Sequence, residues 1–305
     1  MNLDIISEFE TCNILVVGDL MIDEYLWGET DRISPEAPVQ VVSIKNEDYA
    51  LGGAGNVVNN IVSLGAKVSA AGVIGVGRNG QFLRQKFDEL GVDTGGIVQE
   101  SNRPTTQKTR IIASNQHVLR IDRETNKAIS KSTLEKITQF IEAKIPGIDV
   151  VLISDYGKGL ITKPLLSRLM AAAQKHKKIT VVDPKGLEFT KYSGASLLTP
   201  NKKEAALASG IEIVNESTLV QAGNKILETV RLDRLLNVYS YADAGIVMIA
   251  YCATVIGGTP EITPESREIR VFTLDEIPWD DLAFPSTREA LKEYVEQENI
   301  RGTNS

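Results

Sequence analysis

Short Val/Ile/Leu runs alternate with stretches of helical period through the first three-quarters of this chain, and that alternation limits its fold more than any other feature. Asn13–Asp19 (NILVVGD) reads as a buried strand ending in a Gly-Asp turn, and Lys67–Ile74, Val150–Ser154, Ile179–Asp183 and Leu197–Pro200 as further strands. Gly52–Leu64, Gly80–Leu90, Leu134–Lys144, Lys163–His176, a segment from Lys202, and Thr218–Val230 read as helices. Val39–Ile44 adds a strand, and Thr109–Ala113 with His117–Asp122 a hairpin around Ser114-Asn115. Apolar strands separated by helices predict an α/β fold, a mostly parallel sheet covered by helices on both faces. Ligands of such sheets settle beyond the carboxyl ends of the strands. Asp19, Asp23, Asp155, Lys158, Asp183, Lys185, Asn201 and Glu204 all fall there.

Composition narrows the partners. The 305 residues, 42% hydrophobic, suffice for one large core or two smaller ones. No apolar run approaches the roughly 20 residues that span a bilayer, and the acidic start MNLDIISEFE lacks a signal pattern. With Cys12 and Cys252 far apart, no zinc spacing or disulfide framework can be assembled, and with His117 and His176 the only histidines a His-based metal site or Ser-His-Asp triad is not expected. A cytoplasmic protein with no membrane contact is expected. The net charge of −7 without a basic stripe argues against nucleic acid. A small anion remains compatible, because backbone N–H nests and a few cations bind phosphate even on an acidic protein.

The sharpest local feature is Leu51-Gly52-Gly53-Ala54-Gly55-Asn56-Val57, a glycine-rich turn opening a helix. It lets backbone approach a ligand and aims N–H groups at it, and Asn56 can both donate to and accept from hydroxyls. The competing reading is tight strand–helix packing. The other polar positions have plain alternatives too. Asp19 and Asp183 can cap turns after strands, Asp122–Glu124 can be a surface charge run, and Glu204 can be a first-turn acid favoured by the helix dipole. Lys202 and Lys203 read as solvated helix residues, and the two histidines as structural or surface groups.

Several stretches occur in order around that turn: Gly18-Asp19-Leu20-Met21-Ile22-Asp23, Ser34-Pro35-Glu36-Ala37-Pro38-Val39, Arg120-Ile121-Asp122-Arg123-Glu124, Ser154-Asp155-Tyr156-Gly157-Lys158-Gly159, Asp183-Pro184-Lys185-Gly186 and Thr199-Pro200-Asn201-Lys202-Lys203-Glu204. Together they resemble the ribokinase (PfkB) family over about residues 10–236, with wording like the kinase domains that phosphorylate heptose 7-phosphate in ADP-heptose synthesis. The resemblance implies a ribokinase-like sheet with a small β lid and ATP-dependent phosphorylation of the sugar's anomeric hydroxyl. It implies that Asp23, Gly52, Gly53 and Asn56 contact sugar hydroxyls, that Pro35–Val39 belongs to the lid, and that Arg120 holds the sugar's phosphate. Asp155, Lys158, Asp183 and Lys185 would line the cleft, while Asn201 and Glu204 would organise ATP and Mg2+, Glu204 meeting the metal through phosphate or water. It also implies pairing of two copies through the lid strands.

Phosphoryl transfer to an alcohol needs a base on the attacking hydroxyl and donors for the developing charge. The resemblance places both in a Gly-Ala-Gly-Asp segment following Leu236, and that string does not occur in the 305 residues. Ala242-Asp243-Ala244-Gly245 has a different order, so Asp243 is not expected to substitute, no catalytic base is assigned, and binding without turnover is expected. From Val238-Tyr239-Ser240-Tyr241, through Ile246–Thr254 and Pro264–Glu268, to Val271–Trp279 the chain resembles the C-terminal half of a Nudix hydrolase, without that family's glutamate box. This implies two domains, 1–236 (an incomplete kinase domain) and 237–305 (an α+β Nudix-like fragment), meeting around Arg234-Leu235-Leu236. Antiparallel strands at Val238–Tyr241, Gly245–Val255 and Glu268–Thr273, turns at Ala242–Ala244 and Gly257–Pro260, and a terminal helix at Pro285–Gln297 are expected there.

Overall fold

β1 (Asn13–Gly18) is apolar at every interior position, and the chain buries it from Ile14 onward at the centre of a six-stranded parallel sheet. The computed structural model describes residues 9–114, 116–230, 234–241, 246–252 and 292–293. The sheet also contains β4 (Lys67–Gly75), β5 (Asp93–Glu100), β8 (Val150–Ser154), β9 (Ile179–Asp183) and β10 (Leu197–Leu198), in the order β10-β9-β8-β1-β4-β5. Val16 sits opposite Ala70 on one side and Leu152 on the other.

Alternation along β1 divides the core. Ile14 and Val16 join Val58 and Ile61 of α1 (Ala54–Ser63) and Leu83 and Phe87 of α2 (Arg78–Glu89). Leu15 and Val17 are equally buried and turn to the opposite face. On that face α3 (Lys131–Lys144) lies against β4 and β5, and α4 (Lys163–Lys175) against β9. Both helices start at capping residues: Ser130 accepts from the Thr133 amide and Thr162 from the Leu165 amide, contacts worth about 1 kcal/mol each.

A second sheet has four strands in the order β3-β2-β6-β7: β2 (Leu20–Ile33), β3 (Gln40–Gly53), β6 (Thr106–Ala113) and β7 (Gln116–Arg123). β2 pairs with β3 antiparallel and with β6 parallel, and β6 pairs with β7 antiparallel. Asp19 alone separates β1 from β2, and α1 follows β3 without a loop, so the β2–β3 pair starts and ends at one point, where the Ala54 amide donates to the Asp19 carbonyl (3.1 Å). Pro35–Val39 forms the turn at the far end between β2 and β3, closed by Ser34 donating to the Val39 carbonyl (2.8 Å).

Two strands were not anticipated. β2 carries adjacent acids, Asp23 and Glu24, on opposite faces, so it shows no clean apolar alternation; each acid is satisfied by a partner on β6. β5 contains Gly95-Gly96, and adjacent glycines give no strand signal. The ring of Phe140 occupies the space instead: a Cβ on Gly96 would come within 2.5 Å of it. β3 also runs nine residues past the expected end at Ile44, to Gly53.

The chain divides into two compact units, Met1–Glu204 and Ala205–Ser305, with α5 (Lys202–Ser209) running across the division. In the second unit α6 (Glu216–Val230) buries Ala222 and Ile226, and β11 (Arg234–Tyr241) pairs antiparallel with β12 (Ile246–Cys252). These correspond to the expected strands at Val238–Tyr241 and Gly245–Val255. The turns at Ala242–Ala244 and Gly257–Pro260, the strand at Glu268–Thr273 and the terminal helix, apart from helical Lys292 and Glu293, lie outside the described residues, as does most of the Nudix-like stretch. No helix among the described residues is long and apolar enough to cross a membrane.

Candidate functional site

Most of the polar residues singled out above lie at the carboxyl ends of β1, β8 and β9 or on the lid strands, and an acid at the first of these ends shapes the rest. Asp19 is 2% exposed, and its carboxylate accepts from the amides of Tyr156 (2.9 Å), Lys158 (3.0 Å) and Leu160 (3.4 Å). Burial pushes its pKa up, against the lowering effect of those amides. Asp19 therefore does more than cap its own turn: it holds the loop that follows β8. Gly157 and Gly159 take positive φ there, and a Cβ on Gly159 would meet the Lys127 carbonyl at 2.0 Å.

Asp155, which opens that loop, is also 2% exposed and does not face the cleft. Its Oδ2 accepts from Lys191 Nζ (2.6 Å) and the Tyr192 hydroxyl (2.7 Å), and its Oδ1 from the Gly157 amide (2.7 Å). Tyr192 in turn accepts from the Lys185 amide (2.9 Å), and burial first, then the Asp155 charge, pushes its phenol pKa well up. Asp155 and Tyr192 thus tie the loop after β8 to the loop after β9.

Asp183 and Lys185 sit at the end of β9. Asp183 is half-buried, and burial, then the Glu204 charge, raise its pKa. Lys185 donates to Glu204 Oε1 (2.6 Å), which holds the ammonium pKa up. The other Glu204 oxygen accepts from the Asn201 amide (3.1 Å), and Asn201 Oδ1 accepts from the Glu204 amide (3.0 Å). This reciprocal pair is a capping box at the start of α5. Glu204 is thus the first-turn acid of the helix-dipole alternative, and the same carboxylate also accepts from Lys185 at the end of β9.

On the lid, Asp23 accepts from Arg110 (2.5 Å) on β6, and the guanidinium lies over the Tyr25 ring, 5.2 Å from its centroid. The Asp23 hydrogen bond holds the Arg110 pKa above its usual value. A Cβ on Gly52 would meet Asp23 Oδ2 at 2.6 Å. Gly53, at φ +53°, brings the chain back to the Asp19 carbonyl, 2.7 Å from where its Cβ would stand. Gly52 and Gly53 are thus required by Asp23 and by the lid's root. Asn56 is exposed on the first turn of α1.

Lys108 lies two residues before Arg110 on the same face, 3.8 Å from Asp122 and 4.0 Å from Glu124. Lys158 pairs with Glu124 (2.7 Å). Arg120 makes a two-point contact with Asp122 (2.8 and 3.0 Å) and is half exposed. Four cations, Lys108, Arg110, Arg120 and Lys158, therefore stand among three acids, Asp23, Asp122 and Glu124, on one surface. Lys108 and Arg110 escaped the sequence reading because a basic residue at every second strand position looks like a solvated face. Arg103 escaped it too. It is 8% exposed, donates to Glu100 (3.1 Å), and holds the carbonyls of Lys158 (2.8 Å) and Lys127. Its signal would have been an arginine between two turn residues, which says nothing of burial.

Among the described residues no three acidic, histidine or cysteine side chains are grouped to hold a metal. Glu204, with Lys185 and Asn201 already on its oxygens, suits contact with a hydrated ion carried by phosphate better than direct ligation.

A family model described as pfkB family carbohydrate kinase matches residues 12–236. Among curated relatives, a "Bifunctional protein HldE" from Desulfatibacillum aliphaticivorans is 51% identical over 231 residues, covering 76% of this chain and 47% of the relative. Its namesake from Trichlorobacter lovleyi is 48% identical over 259 residues, covering 85% and 52%. The chain spans about half the length of the curated relatives it matches. Among solved structures, the tetrameric inhibited form of phosphofructokinase-2 from Escherichia coli has a TM-score of 0.57 at 18% identity, covering 72% of this chain and 70% of that one. Arabidopsis thaliana ribokinase complexed with ribose and ATP has a TM-score of 0.54 at 17% identity, covering 72% and 69%.

Proposed function

This chain belongs to the pfkB family of carbohydrate kinases and has the ribokinase-like fold, and from that premise we propose that its cleft recognises heptose 7-phosphate, the acceptor of an ATP-dependent phosphorylation at the anomeric hydroxyl. The observation that carries the reading is the lid's inner face, where Asp23 and the Gly52-Gly53 backbone stand beside Lys108, Arg110 and Arg120. A sugar phosphate needs both parts: carboxylate and backbone groups for hydroxyls, and cations, arginine above all, for a phosphate. Arg110 donates to Asp23. Sugar hydroxyls would take over the carboxylate and leave the guanidinium to the phosphate. Asn56 would add a donor and acceptor at the helix start.

ATP use follows from the family. In this reading Asn201, Glu204 and Lys185 meet the nucleotide's phosphates, and Mg2+ would supply charge neutralisation there, with Glu204 reaching it through water. No Gly-Ala-Gly-Asp string supplies a base, so the proposal includes binding without measurable turnover. A cytoplasmic setting and pairing of two copies through the lid strands belong to the same proposal. So does a domain boundary at Leu236, supported by the end of the family match. The Nudix-like assignment of the tail rests on its sequence and on the antiparallel β11–β12 pair.

Calorimetry with heptose 7-phosphate tests the reading. Saturable binding is expected, with weaker binding of the unphosphorylated heptose. Asp23→Asn should weaken the sugar phosphate by about 10- to 100-fold, as loss of charge-assisted hydrogen bonds does. Equal affinity for both sugars, or an Asp23→Asn variant that binds normally, would refute the site assignment. Phosphorylation by ATP at an ordinary kinase rate would refute the loss of turnover and leave the site assignment standing.

A further inference from the structure

Behind the lid, on the side away from the sugar cleft, a pocket of about 650 Å3 opens between the loop after β4, the loop after β5 and the end of β7. None of its lining residues is acidic, although the chain as a whole carries a charge of −7. Three arginines line it, Arg78, Arg103 and Arg123, and two of them meet no carboxylate. Arg78 has no ion pair or side-chain hydrogen bond among the described residues, and Arg123 donates to Gln107 Oε1 (3.1 Å) without meeting a carboxylate. Asn79, Asn102 and Ser101 add neutral polar groups, and Asn79 is already oriented by its bond to the same Gln107 oxygen (2.9 Å).

We propose that this pocket is a second anion site, built for a small organic phosphate and distinct from the sugar cleft. Strand alternation separates the two. Gln107 and Arg123 lie on the face of β6 and β7 opposite Lys108, Arg110 and Arg120, so one ligand cannot touch both sets. Arginine supplies a planar fork of donors that matches phosphate oxygens, and two such forks without acidic partners leave charge for a ligand to neutralise. The pocket volume lies within the roughly 300–1,000 Å3 of small-molecule sites. Its floor is firm: the Gly75 amide donates to the Thr105 hydroxyl (2.9 Å), and a Cβ on Gly75 would strike the Arg103 carbonyl at 2.4 Å. Arg103 itself is spent on Glu100 and two carbonyls, so the inference rests on Arg78 and Arg123 as the cations that meet the ligand.

The test is calorimetric titration of the full chain with pyrophosphate. Saturable binding is expected. The Arg78→Gln/Arg123→Gln pair should weaken it about tenfold or more, and Lys108→Gln/Arg110→Gln should leave it unchanged. The idea is overturned if no saturable binding occurs, or if binding depends on Lys108 and Arg110 while surviving loss of Arg78 and Arg123, which would put pyrophosphate in the sugar cleft. If the double variant melts early, Arg78→Gln alone decides: weaker binding supports the site and unchanged binding overturns it.

Discussion

Replacing Glu100 by Gln should remove a defined, pH-dependent part of the stability of the first unit. Burial alone would raise the Glu100 pKa, but hydrogen bonds from the Thr133 side chain, the Ser130 amide and Arg103 outweigh it and hold the carboxyl at about 2. A carboxylate depressed from 4.5 contributes stability that is full above that value and is lost as pH falls toward about 2. Roughly two and a half pH units at about 1.4 kcal/mol each give an upper bound of about 3.5 kcal/mol, which screening by nearby water lowers to about 1–2 kcal/mol. The variant also leaves the buried Arg103 guanidinium without its counter-charge, so its total cost at pH 7 is expected to be about 2–4 kcal/mol. Urea unfolding at pH 7 and pH 3.5, followed by circular dichroism, should show the gap between wild type and Glu100→Gln narrowing by about 1 kcal/mol at the lower pH. Because Arg103 holds the Lys158 carbonyl, the Lys158 and Leu160 amides should also exchange faster in the variant. A gap that is the same at both pH values, or unchanged exchange at those amides, would refute the reasoning.

Gly53→Ala forces a side chain into φ +53° and against the Asp19 carbonyl; a loss of about 1–3 kcal/mol and weaker sugar-phosphate binding are expected, and a variant that melts and binds like wild type would contradict the lid root described here. Tyr192→Phe removes the hydroxyl shared by Asp155 and the Lys185 amide, so it should cost about 1–3 kcal/mol and loosen the loops after β8 and β9 in hydrogen exchange; protection equal to wild type would show that the hydroxyl ties nothing. Asn201→Ala breaks the capping box and should lower stability by about 1 kcal/mol, measured as a shift in the unfolding midpoint, whereas no shift would mean that the box contributes nothing.

The central sheet was legible because β1, β8 and β9 are short Val/Ile/Leu-rich runs, and the helices because their apolar residues recur at helical spacing; the Ser130 cap went unread, so α3 begins three residues before the expected Leu134. β5 was hidden because its Gly95-Gly96 pair answers to Phe140, a residue that distance along the chain does not connect to it. β2 was hidden because Asp23 and Glu24 find their partners across the lid, and a single strand read alone cannot show them. At the site, Asp23 and Gly52-Gly53 were visible as a motif, although the expected glycine-rich turn is the end of β3 running directly into α1. Their neighbours Lys108 and Arg110 were not, since strand pairing makes them neighbours. Asp155 looked like a cleft residue by position at the end of β8, and its burial beneath Lys191 and Tyr192 depends on a short helical turn 34 residues later in the chain.

The long β2–β3 ribbon also has a mechanical consequence. It pairs with β6 only as far as Gly28 opposite Ala113, and then runs on as two strands to the Pro35–Val39 turn. The arm from Met21 to Ile33 is about 40 Å long at strand rise, so a tilt of about 10° at its root, where Gly52 touches Asp23, would carry the far turn through about 7 Å. A rotation too small to see at the root would become a displacement of measurable size at Glu36, so the ribbon would act as a pointer to the proposed sugar site.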